Sequence, residues 1–384
     1  MSKLPLTGLR VVEIGHSIAA PYGALILAEL GAEVIKIERP GAGDDARGWG
    51  APVEGPAATT SATFHAMNRL KRCVTLDMKS DAGREKIHGL AAISDVVIQN
   101  QKPGLAAKLK FDAATLRGIN TRLIYANIHA FGDTGPLASK PGYDPLMQAF
   151  AGLMTVTGEP GRPSIRTGPS IIDMTTGMWL VIGVLTALLQ RASSGKGATV
   201  DTALFETALG WMMYFLPIFT SSGKSPGKAG SGVVMICPYQ IFQCADGELM
   251  IAAGNDTLYR KLCGVLGQPG WADDPRFVTN PDRLAHRDVL IALLMGETAK
   301  WQLADLAAAL EAAGVPNAPV QDTGQIASHP QTMAIDIKRG GGNLEFFGLP
   351  VRLDGKRPDL DVPCQPLGGD NDWLEALLRA ETAG

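Results

Sequence analysis

Asp173 has the setting in this sequence that best suits covalent chemistry. It follows the apolar pair Ile171-Ile172 and begins the helix-like apolar run 174–195. An aspartate at a helix N-terminus usually caps free N–H groups and meets the positive end of the helix dipole. The same groups would keep a nucleophilic carboxylate ionised and would support an oxyanion that develops beside it. The residues alone leave both roles open, cap and nucleophile.

The five cysteines are scattered through the sequence. Their positions are Cys73, Cys237, Cys244, Cys263 and Cys364. They form no C-x-x-C pair, and most have apolar neighbours, which favours buried free thiols over disulfides or metal ligands. We therefore predict no metal site.

The composition indicates a soluble globular protein. Of the 384 residues, 46% are hydrophobic and 19% are charged, and this length favours two domains. The 35 basic and 38 acidic residues give a net charge of −3, which offers no broad field for nucleic acid. We see no apolar run of the roughly 18 residues that a membrane span needs, and no export signal near the N-terminus. The expected location is the cytoplasm, with no membrane partner.

The first half of the chain alternates apolar strands with helices. Strands are predicted at 9–15, 32–38, 95–100 and 122–132, and helices at 21–31 and 80–94, the second capped by Ser80. Such alternation is typical of a parallel sheet covered by helices. The predicted fold class is therefore α/β.

The second half changes character after the long helix and a further strand and helix within 197–215. Residues 221–232 are rich in Gly, Ser and Lys, which predicts a mobile loop or a linker. Residues 239–254 have the pattern of a hairpin with the turn Ala245-Asp246-Gly247. Helices are predicted beyond it, at 255–267 and 286–313.

These patterns divide the chain into three parts. We predict a large domain over 1–225, a smaller α+β domain over 226–325, and a return segment over 326–384 that completes the large domain. The return segment has spaced prolines, which suit an extended chain, and ends in a short helix at 374–381.

The opening strand–helix–strand pattern invites a dinucleotide interpretation, with Glu38 as the acid that binds a ribose. The residues between the first strand and helix are Gly15-His16-Ser17-Ile18-Ala19-Ala20-Pro21. They lack the G-x-G-x-x-G spacing that lets the backbone approach a pyrophosphate. Nicotinamide and flavin cofactors are therefore not expected.

Seven segments, in order along nearly the whole chain, form a recognisable set. They are ELGAEVIKIERPGAGDDAR (29–47), LKRCVTLDMKS (70–80), DVVIQNQKPG (95–104), FGDTGPLASKPGYD (131–144), DMTTGM (173–178), GKGATVD (195–201) and ADGELMIAAGND (245–256). Together they resemble the class III coenzyme A (CoA) transferases, a family that includes formyl-CoA and carnitine CoA-transferases and the alpha-methylacyl-CoA racemase.

The resemblance implies an architecture and a substrate. Two ring-like subunits would thread through one another as an interlocked homodimer. Each would have a large Rossmann-like domain with a parallel sheet and a smaller domain. CoA and acyl-CoA would be substrates, with carboxylic acids as the other reactants, and no cofactor would be bound permanently.

The resemblance also implies site residues. Asp173 matches the catalytic aspartate of the family. The CoA contacts carry over to His16, Ser17, Ile18, Ala19, Arg39, Leu76, Lys79, Asn100, Gln101, Lys108 and Tyr143. Lys108 stands where the family commonly has arginine, so a phosphate contact there would be a point charge instead of a bidentate fork. Further cations cluster in the same third of the chain, at Arg69, Lys71, Arg72 and Lys102.

A carboxylate nucleophile defines the expected mechanism. Asp173 would attack the acyl carbon of the donor thioester to give a mixed anhydride, and the CoA thiolate would return to form an aspartyl-CoA thioester. The acceptor acid would reverse these steps. An aspartate with an ordinary pKa of about 3.9 is already ionised at neutral pH, so no general base is expected.

The racemase is the nearest alternative, because it removes a proton alpha to the thioester and needs a second acid–base group facing the aspartate. That branch has a histidine in a GHD-type motif where this chain has Gly142-Tyr143-Asp144. A tyrosine with an ordinary pKa of about 10 carries protons poorly at neutral pH. The sequence therefore favours transfer over racemisation.

Two further alternatives are a CoA-binding protein without turnover and a CoA hydrolase. The first would be signalled by loss of the nucleophile, whereas Asp173 is present. The second requires that water reach the intermediate, which 221–232 would prevent if this loop closes over the site. The acids remain open: Arg162 and Arg166 could clamp the second carboxylate of a small dicarboxylic acid such as succinate, or could hold loop structure.

Overall fold

The computed structural model describes residues 4–53, 60–341 and 344–382. The chain divides into two compact units. The first consists of Met1–Ala151, Thr167–Trp211 and Pro330–Gly384, and the second of Gly152–Arg166 and Met212–His329. The domain ranges 1–225, 226–325 and 326–384 stay a prediction, since compact units need not fold independently.

The first unit contains a parallel sheet, as predicted, and this sheet has six strands. Its strands are β1 (Arg10–Ile14), β2 (Glu33–Glu38), β3 (Lys71–Thr75), β4 (Val96–Gln99), β5 (Ile124–His129) and β6 (Thr199–Ala203). The order is β3-β2-β1-β4-β5-β6, and each neighbouring pair is parallel. The direction of strand addition reverses between β1 and β4, and such a switch point opens a crevice at the carboxyl ends of the strands.

Strand β3 was not among the predicted strands. It begins with Lys71 and Arg72, which hide the apolar pattern of a buried strand. In the fold Lys71 is buried in an ion pair with Glu13, and Arg72 pairs with Asp370. Ion pairs made over long sequence separations thus admit charged residues to this strand.

Helices of the first unit pack on this sheet, and other helices form most of the second unit. In chain order they are α1 (Ala19–Glu29), α2 (Ala62–Asn68), α3 (Asp81–Ala92), α4 (Leu105–Lys108), α5 (Ala113–Ile119), α6 (Asp144–Phe150), α7 (Leu153–Val156), α8 (Ile171–Ser194), α9 (Leu204–Trp211), α10 (Phe215–Ser222), α11 (Asp256–Val265), α12 (Asn280–Ala285), α13 (Arg287–Thr298), α14 (Leu303–Ala312), α15 (Thr323–Ser328), α16 (Pro330–Ala334) and α17 (Asn371–Thr382). Short 3-10 turns lie at Asp45–Gly48 and Pro269–Ala272. The predicted cap of α3 is confirmed, because the Ser80 hydroxyl accepts the N–H of Gly83.

Helices α1 and α8 pack closely through glycines. A Cβ atom on Gly177 would lie 2.6 Å from the Ala19 carbonyl oxygen, and one on Gly23 would lie 3.0 Å from the Gly177 carbonyl oxygen. Real Cβ atoms essentially never come within 3.0 Å of another atom, so glycine is required at 177 for this approach. Because α1 follows the 16–19 segment and α8 begins beside Asp173, this contact fixes the two predicted site segments relative to each other.

Helix α8 corrects the expectation that no segment resembles a membrane span. By length and composition alone, its 24 residues would suffice to cross a membrane. In this fold it packs on α1, β5, β6 and α9, and it buries Leu180, Val181 and Val184. Its other face exposes Trp179 and Ile182. A core helix with one exposed apolar stripe explains the hydropathy.

The second unit contains the predicted hairpin. Strands β7 (Tyr239–Gln243) and β8 (Glu248–Ala252) are antiparallel, and β9 (Asn317–Pro319) adds to β8. The helix predicted over 286–313 is wrong in its continuity, since α13 and α14 are separate. The Asp246 carboxylate of the hairpin turn accepts the Leu303 N–H at 2.7 Å and so starts α14.

Segment 221–232 makes definite contacts within the second unit. Its first residues complete α10, and the Gly230 N–H donates to the Gly158 carbonyl at 3.0 Å. The Lys228 ammonium donates to the carbonyl oxygens of Arg162 and Pro163, both at 2.7 Å. Closure of this loop over a reacting centre stays a prediction.

The return segment contains more regular structure than its prolines predicted. Strands β10 (Lys338–Gly341) and β11 (Leu344–Phe347) pair in antiparallel fashion before the terminal helix α17. Asp370 and Asn371 accept the backbone N–H groups of Cys73 and Thr75, both at 2.8 Å. The segment thereby covers the edge strand β3, which would otherwise present unpaired N–H groups.

Candidate active site

Asp173 lies in the first turn of α8, where its side chain is partly buried. Burial raises the pKa of this carboxyl to about 7, and the nearby Asp144 carboxylate adds to the rise. The expectation of an ordinary, fully ionised aspartate at neutral pH is therefore wrong. The residue exchanges its proton near neutrality, in the range where nucleophiles and general bases work.

Asp144 holds the N-terminus of α8. It is only 1% exposed, and its Oδ2 accepts the N–H groups of Ile172 at 2.7 Å and Asp173 at 3.2 Å. Its Oδ1 accepts a hydrogen bond from the Gln148 amide at 2.6 Å, and the Gln148 Oε1 accepts the Thr167 N–H at 3.0 Å. Helix α8 is thus capped by a residue from another helix, α6.

This cap changes what the helix N-terminus can do. The sequence predicted that its N–H groups would keep the nucleophile ionised and support an oxyanion. The N–H groups of Ile172 and Asp173 instead serve Asp144, whose charge opposes ionisation of Asp173. Sequence reasoning missed this role, although Asp144 closes one of the segments that carry the family resemblance.

A cavity of about 780 Å³ opens at the carboxyl ends of β1, β2, β3 and β4. Six of the predicted CoA contacts line it: His16, Arg39, Leu76, Lys79, Gln101 and Tyr143. In the described part of the chain Ser17, Ile18, Ala19, Asn100, Lys108 and Asp173 are not among its lining residues. Tyr143 lines the cavity, and the next residue in the chain, Asp144, accepts the backbone N–H of Asp173.

Several predicted contacts shape the cavity wall. The Asn100 amide exchanges two hydrogen bonds with the His16 backbone, at 3.1 and 2.9 Å, and the Gln101 amide donates to the Ile14 carbonyl at 2.9 Å. Ser17 has a left-handed backbone with φ of 68°, and its N–H donates to the Asp44 carboxylate at 3.0 Å. These side chains fix the loop after β1 through its backbone.

The charged residues at the cavity differ in their burial and in their ion pairs. Burial lowers the pKa of His16 and so favours its neutral form. The Arg39 guanidinium contacts the Asp45 carboxylate at 2.6 Å, yet remains more than half exposed. Lys79 and Lys102 are exposed at the cavity, and Lys108 is exposed at the end of α4. The other clustered cations, Arg69, Lys71 and Arg72, are ion-paired with carboxylates of the fold.

A buried ionic network lies beneath the loop after β1. The Lys36 ammonium contacts the Glu13 carboxylate at 2.8 Å, the Asp44 carboxylate at 2.9 Å and the Gly15 carbonyl at 3.0 Å. Lys71 contacts the other Glu13 oxygen at 2.7 Å. Burial lowers the pKa of Lys36, but the carboxylates outweigh it and raise the pKa overall; burial prevails at Lys71 and lowers its pKa to about 8.

Sequence reasoning did not assign this network a role. The signal available was a charged residue inside each of two apolar strands, Glu13 in β1 and Lys36 in β2. Such charges are rarely fully buried unless they are paired.

Comparisons with known proteins agree with this fold. The model of the CoA-transferase family III matches residues 6–371. The chain belongs to this family, which confirms the resemblance seen in the sequence segments. It is therefore an enzyme of the class III CoA-transferases, whose substrates are CoA thioesters.

Individual relatives match along almost their whole length. The chain is 38% identical over 382 residues to the acetyl-CoA:oxalate CoA-transferase of Acetobacter aceti, covering 99% of this chain and 96% of that protein. It is 37% identical to the succinate–glutarate CoA-transferase of Agrobacterium fabrum, covering 89% and 87%. The crystal structure of a CAIB/BAIF family protein from Brucella suis superposes with a TM-score of 0.89 at 39% identity, covering 98% of this chain and 100% of that one.

Proposed function

We propose that this enzyme transfers CoA from an acyl-CoA thioester to a free carboxylic acid, with Asp173 as the covalent nucleophile. The observation that carries the proposal is the link between cavity and carboxylate. Tyr143 lines the cavity, and the adjacent Asp144 binds the N–H of Asp173. A thioester held along this wall would meet a carboxylate that is fixed at its backbone.

CoA would occupy the cavity beside the loop after β1. Arg39 and Lys79 would meet its phosphates, and Leu76 would supply an apolar contact. The segment His16–Ala19 and the pair Asn100–Gln101 would form the wall, and Tyr143 would border the thioester. Lys108 would reach a phosphate as a point charge.

The reaction would proceed through two covalent intermediates. An Asp173 oxygen attacks the donor acyl carbon, the C–S bond breaks, and CoA leaves as the thiolate. The thiolate then attacks the Asp173 carbonyl carbon, the anhydride C–O bond breaks, and the donor acid leaves. The acceptor carboxylate attacks the aspartyl-CoA thioester to form a second anhydride, and the thiolate takes the acceptor acyl group, which restores the Asp173 carboxylate.

The relatives support a dicarboxylic acid as a substrate. Their names include oxalate, succinate and glutarate. We propose that this chain also takes a small dicarboxylic acid. The role of Arg162 or Arg166 as partner of its second carboxylate stays a prediction from the sequence. Arg162 itself is exposed and lies 3.8 Å from the Glu159 carboxylate.

We further propose an interlocked homodimer in the cytoplasm. Exposed apolar side chains on α8, Trp179, Ile182 and Leu189, support a partner subunit, since such a stripe is costly in water. All five cysteines are free and buried, as predicted, which suits a reducing compartment.

A matrix of acyl-CoA donors against free acids tests the proposed activity, with CoA products identified by mass. We expect acid-dependent exchange, with a dicarboxylic acid among the best acceptors, and loss of exchange in Asp173→Asn with its fold preserved. Exchange at the wild-type rate in that variant would contradict the nucleophile. CoA release without exchange would indicate hydrolysis.

The pKa of Asp173 near 7 also suits a general base, which keeps 2-methylacyl-CoA racemisation as a second candidate. Deuterium uptake at the alpha carbon of a 2-methylacyl-CoA in heavy water separates the two activities. We expect acid-dependent CoA exchange without uptake. Rapid uptake with no exchange would favour the racemase.

A further inference from the structure

We propose that Asp144 is a positioning residue for the transfer reaction, which fixes the backbone of Asp173 and favours its acylated form over the free carboxylate. This inference rests on the proposed function, because it needs a covalent step at Asp173. It assigns a role to a buried carboxylate that touches the nucleophilic residue through its backbone N–H.

The first part of the proposal, that Asp144 fixes the backbone of Asp173, follows from the hydrogen bonds of the Asp144 carboxylate. One Asp144 oxygen holds the second and third residues of α8, at 2.7 and 3.2 Å, and the other is held by Gln148 at 2.6 Å. Gln148 in turn binds the Thr167 backbone, just ahead of α8. The segment before the nucleophile and the first turn that carries it are therefore tied to one side chain of α6.

The second part of the proposal, that the charge of Asp144 favours the acylated form of Asp173, follows from the presence of a carboxylate at position 144. A neutral residue such as asparagine or serine caps a helix N-terminus about as well as aspartate. A carboxylate here instead places a like charge against the nucleophile, and this repulsion contributes to the raised pKa of Asp173 after burial. Capping of the two N–H groups does not require that charge, although the second oxygen of the carboxylate also accepts the Gln148 amide.

Repulsion between the two carboxylates changes the energetics of each covalent step. When an Asp173 oxygen bonds to the acyl carbon, the negative charge leaves with the CoA thiolate. When the thiolate displaces the donor acid, the charge leaves with that acid. Asp173 is uncharged in both the anhydride and the thioester, so its repulsion with Asp144 is released. The charge of Asp144 therefore raises the free enzyme in energy relative to the acylated enzyme.

Three substitutions separate the two parts of the proposal. Asp144→Asn keeps an oxygen to accept the N–H groups of α8, but it removes the charge and turns an NH2 group towards the Gln148 amide. Asp144→Ala removes the charge and both acceptors, whereas Gln148→Ala removes the Gln148 hydrogen bond and leaves the charge. The matched controls are Asp322→Asn and Asp322→Ala, because Asp322 also caps a helix, α15, in the other compact unit. All variants are measured for kcat, for KM of the acyl-CoA, and for the unfolding midpoint. Intact mass after acid quench gives the fraction of enzyme that carries CoA on Asp173.

For Asp144→Asn we expect a wild-type KM and an unfolding midpoint no lower than that of Gln148→Ala. The CoA-carrying fraction and kcat should be about tenfold below those of Gln148→Ala, the size of effect that a close like charge has on a carboxyl. For Asp144→Ala we expect a further loss in kcat. The Asp322 variants should keep wild-type kcat and CoA-carrying fraction.

Three outcomes would overturn the assignment. A CoA-carrying fraction and kcat in Asp144→Asn equal to those of Gln148→Ala would overturn the second part of the proposal, and equal kcat in Asp144→Ala and Asp144→Asn would overturn the first part. Wild-type enzyme that performs no acid-dependent exchange and carries no CoA on Asp173 would overturn the proposed function, and this assignment with it. The wild-type measurement thus tells the two failures apart.

Discussion

At Asp173, burial and the Asp144 carboxylate raise the pKa to about 7 from an ordinary value of 3.8. The protonated carboxyl is a poor nucleophile, so the group must lose its proton before it attacks. We expect kcat/KM for transfer to rise with pH, to level off above about pH 7, and to fall about tenfold for each pH unit below.

This profile is measured with a donor and an acceptor acid that do not titrate in the range. The control is the unfolding midpoint across the same pH values, which excludes loss of the fold as the cause. A rate that stays flat down to about pH 5 would show that Asp173 keeps an ordinary pKa.

The sequence predicted Asp173 as the candidate nucleophile but did not predict the environment of its carboxyl. Asp173 and five of the predicted cavity residues lie in segments that carry the family resemblance, whereas the sixth, His16, lies outside those segments, after the first strand. The raised pKa comes from burial and, second, from Asp144, which reaches Asp173 across 29 positions of the chain, and no local pattern encodes that contact.

At the scale of elements, the contact between α1 and α8 depends on Gly177. Replacing it with alanine would put a Cβ atom 2.6 Å from the Ala19 carbonyl oxygen, so the helices must separate. We expect Gly177→Ala to lose about 1–3 kcal/mol of unfolding free energy, the usual cost of overpacking. Transfer should fall as well, because Asp173 and the 16–19 segment move apart.

Gly118→Ala is the matched control, since a Cβ atom there meets open space within a helix of the same unit. That change should leave transfer intact and stabilise the fold by about 0.5–1 kcal/mol. Wild-type stability and activity in Gly177→Ala would contradict the role given to the helix contact.

The buried ionic network of Lys36, Glu13, Asp44 and Lys71 is expected to stabilise the loop after β1. Lys36→Met would leave the buried carboxylates of Glu13 and Asp44 without one of their cations. Removing one partner of a buried ion pair costs about 3–5 kcal/mol, and we expect a loss of that size in denaturant unfolding.

Lys300→Met serves as the control, because Lys300 pairs with Glu297 at 2.8 Å while remaining 65% exposed. Its loss should cost less than about 0.5 kcal/mol. Equal effects of the two substitutions would show that the buried network adds nothing to stability.

Elements were predictable where a single local signal defines them. The hairpin at β7 and β8 has alternating strands around an Asp-Gly turn, and it formed as expected. Strand β3 was missed because its charged residues are neutralised by partners distant in the sequence. The break between α13 and α14 also depends on a distant partner, the hairpin residue Asp246.

At the scale of the whole molecule, the proposed interlocked dimer should resist dissociation on dilution. Threaded subunits cannot separate unless one of them opens, so dilution alone should not release monomers. We expect a single dimer species at nanomolar protein by mass photometry. The control is the same measurement after denaturation, which should give monomers.

A reversible monomer at that dilution would contradict the interlocked architecture, although it would leave the chemistry at Asp173 untouched. The sequence indicated a dimer only through family resemblance. The exposed apolar stripe of α8 became visible only in the fold, since its residues alternate with buried ones along one continuous apolar run.

The most direct test of the central claim follows one oxygen atom into Asp173. In the proposed mechanism an oxygen of the acceptor acid bridges the second anhydride and stays on Asp173 when the thiolate takes the acyl group. After turnover with an acceptor carboxylate labelled with heavy oxygen, mass spectrometry of the peptide that contains Asp173 should show heavy oxygen in that side chain. Acid-dependent CoA exchange that leaves Asp173 unlabelled would contradict covalent catalysis by this residue.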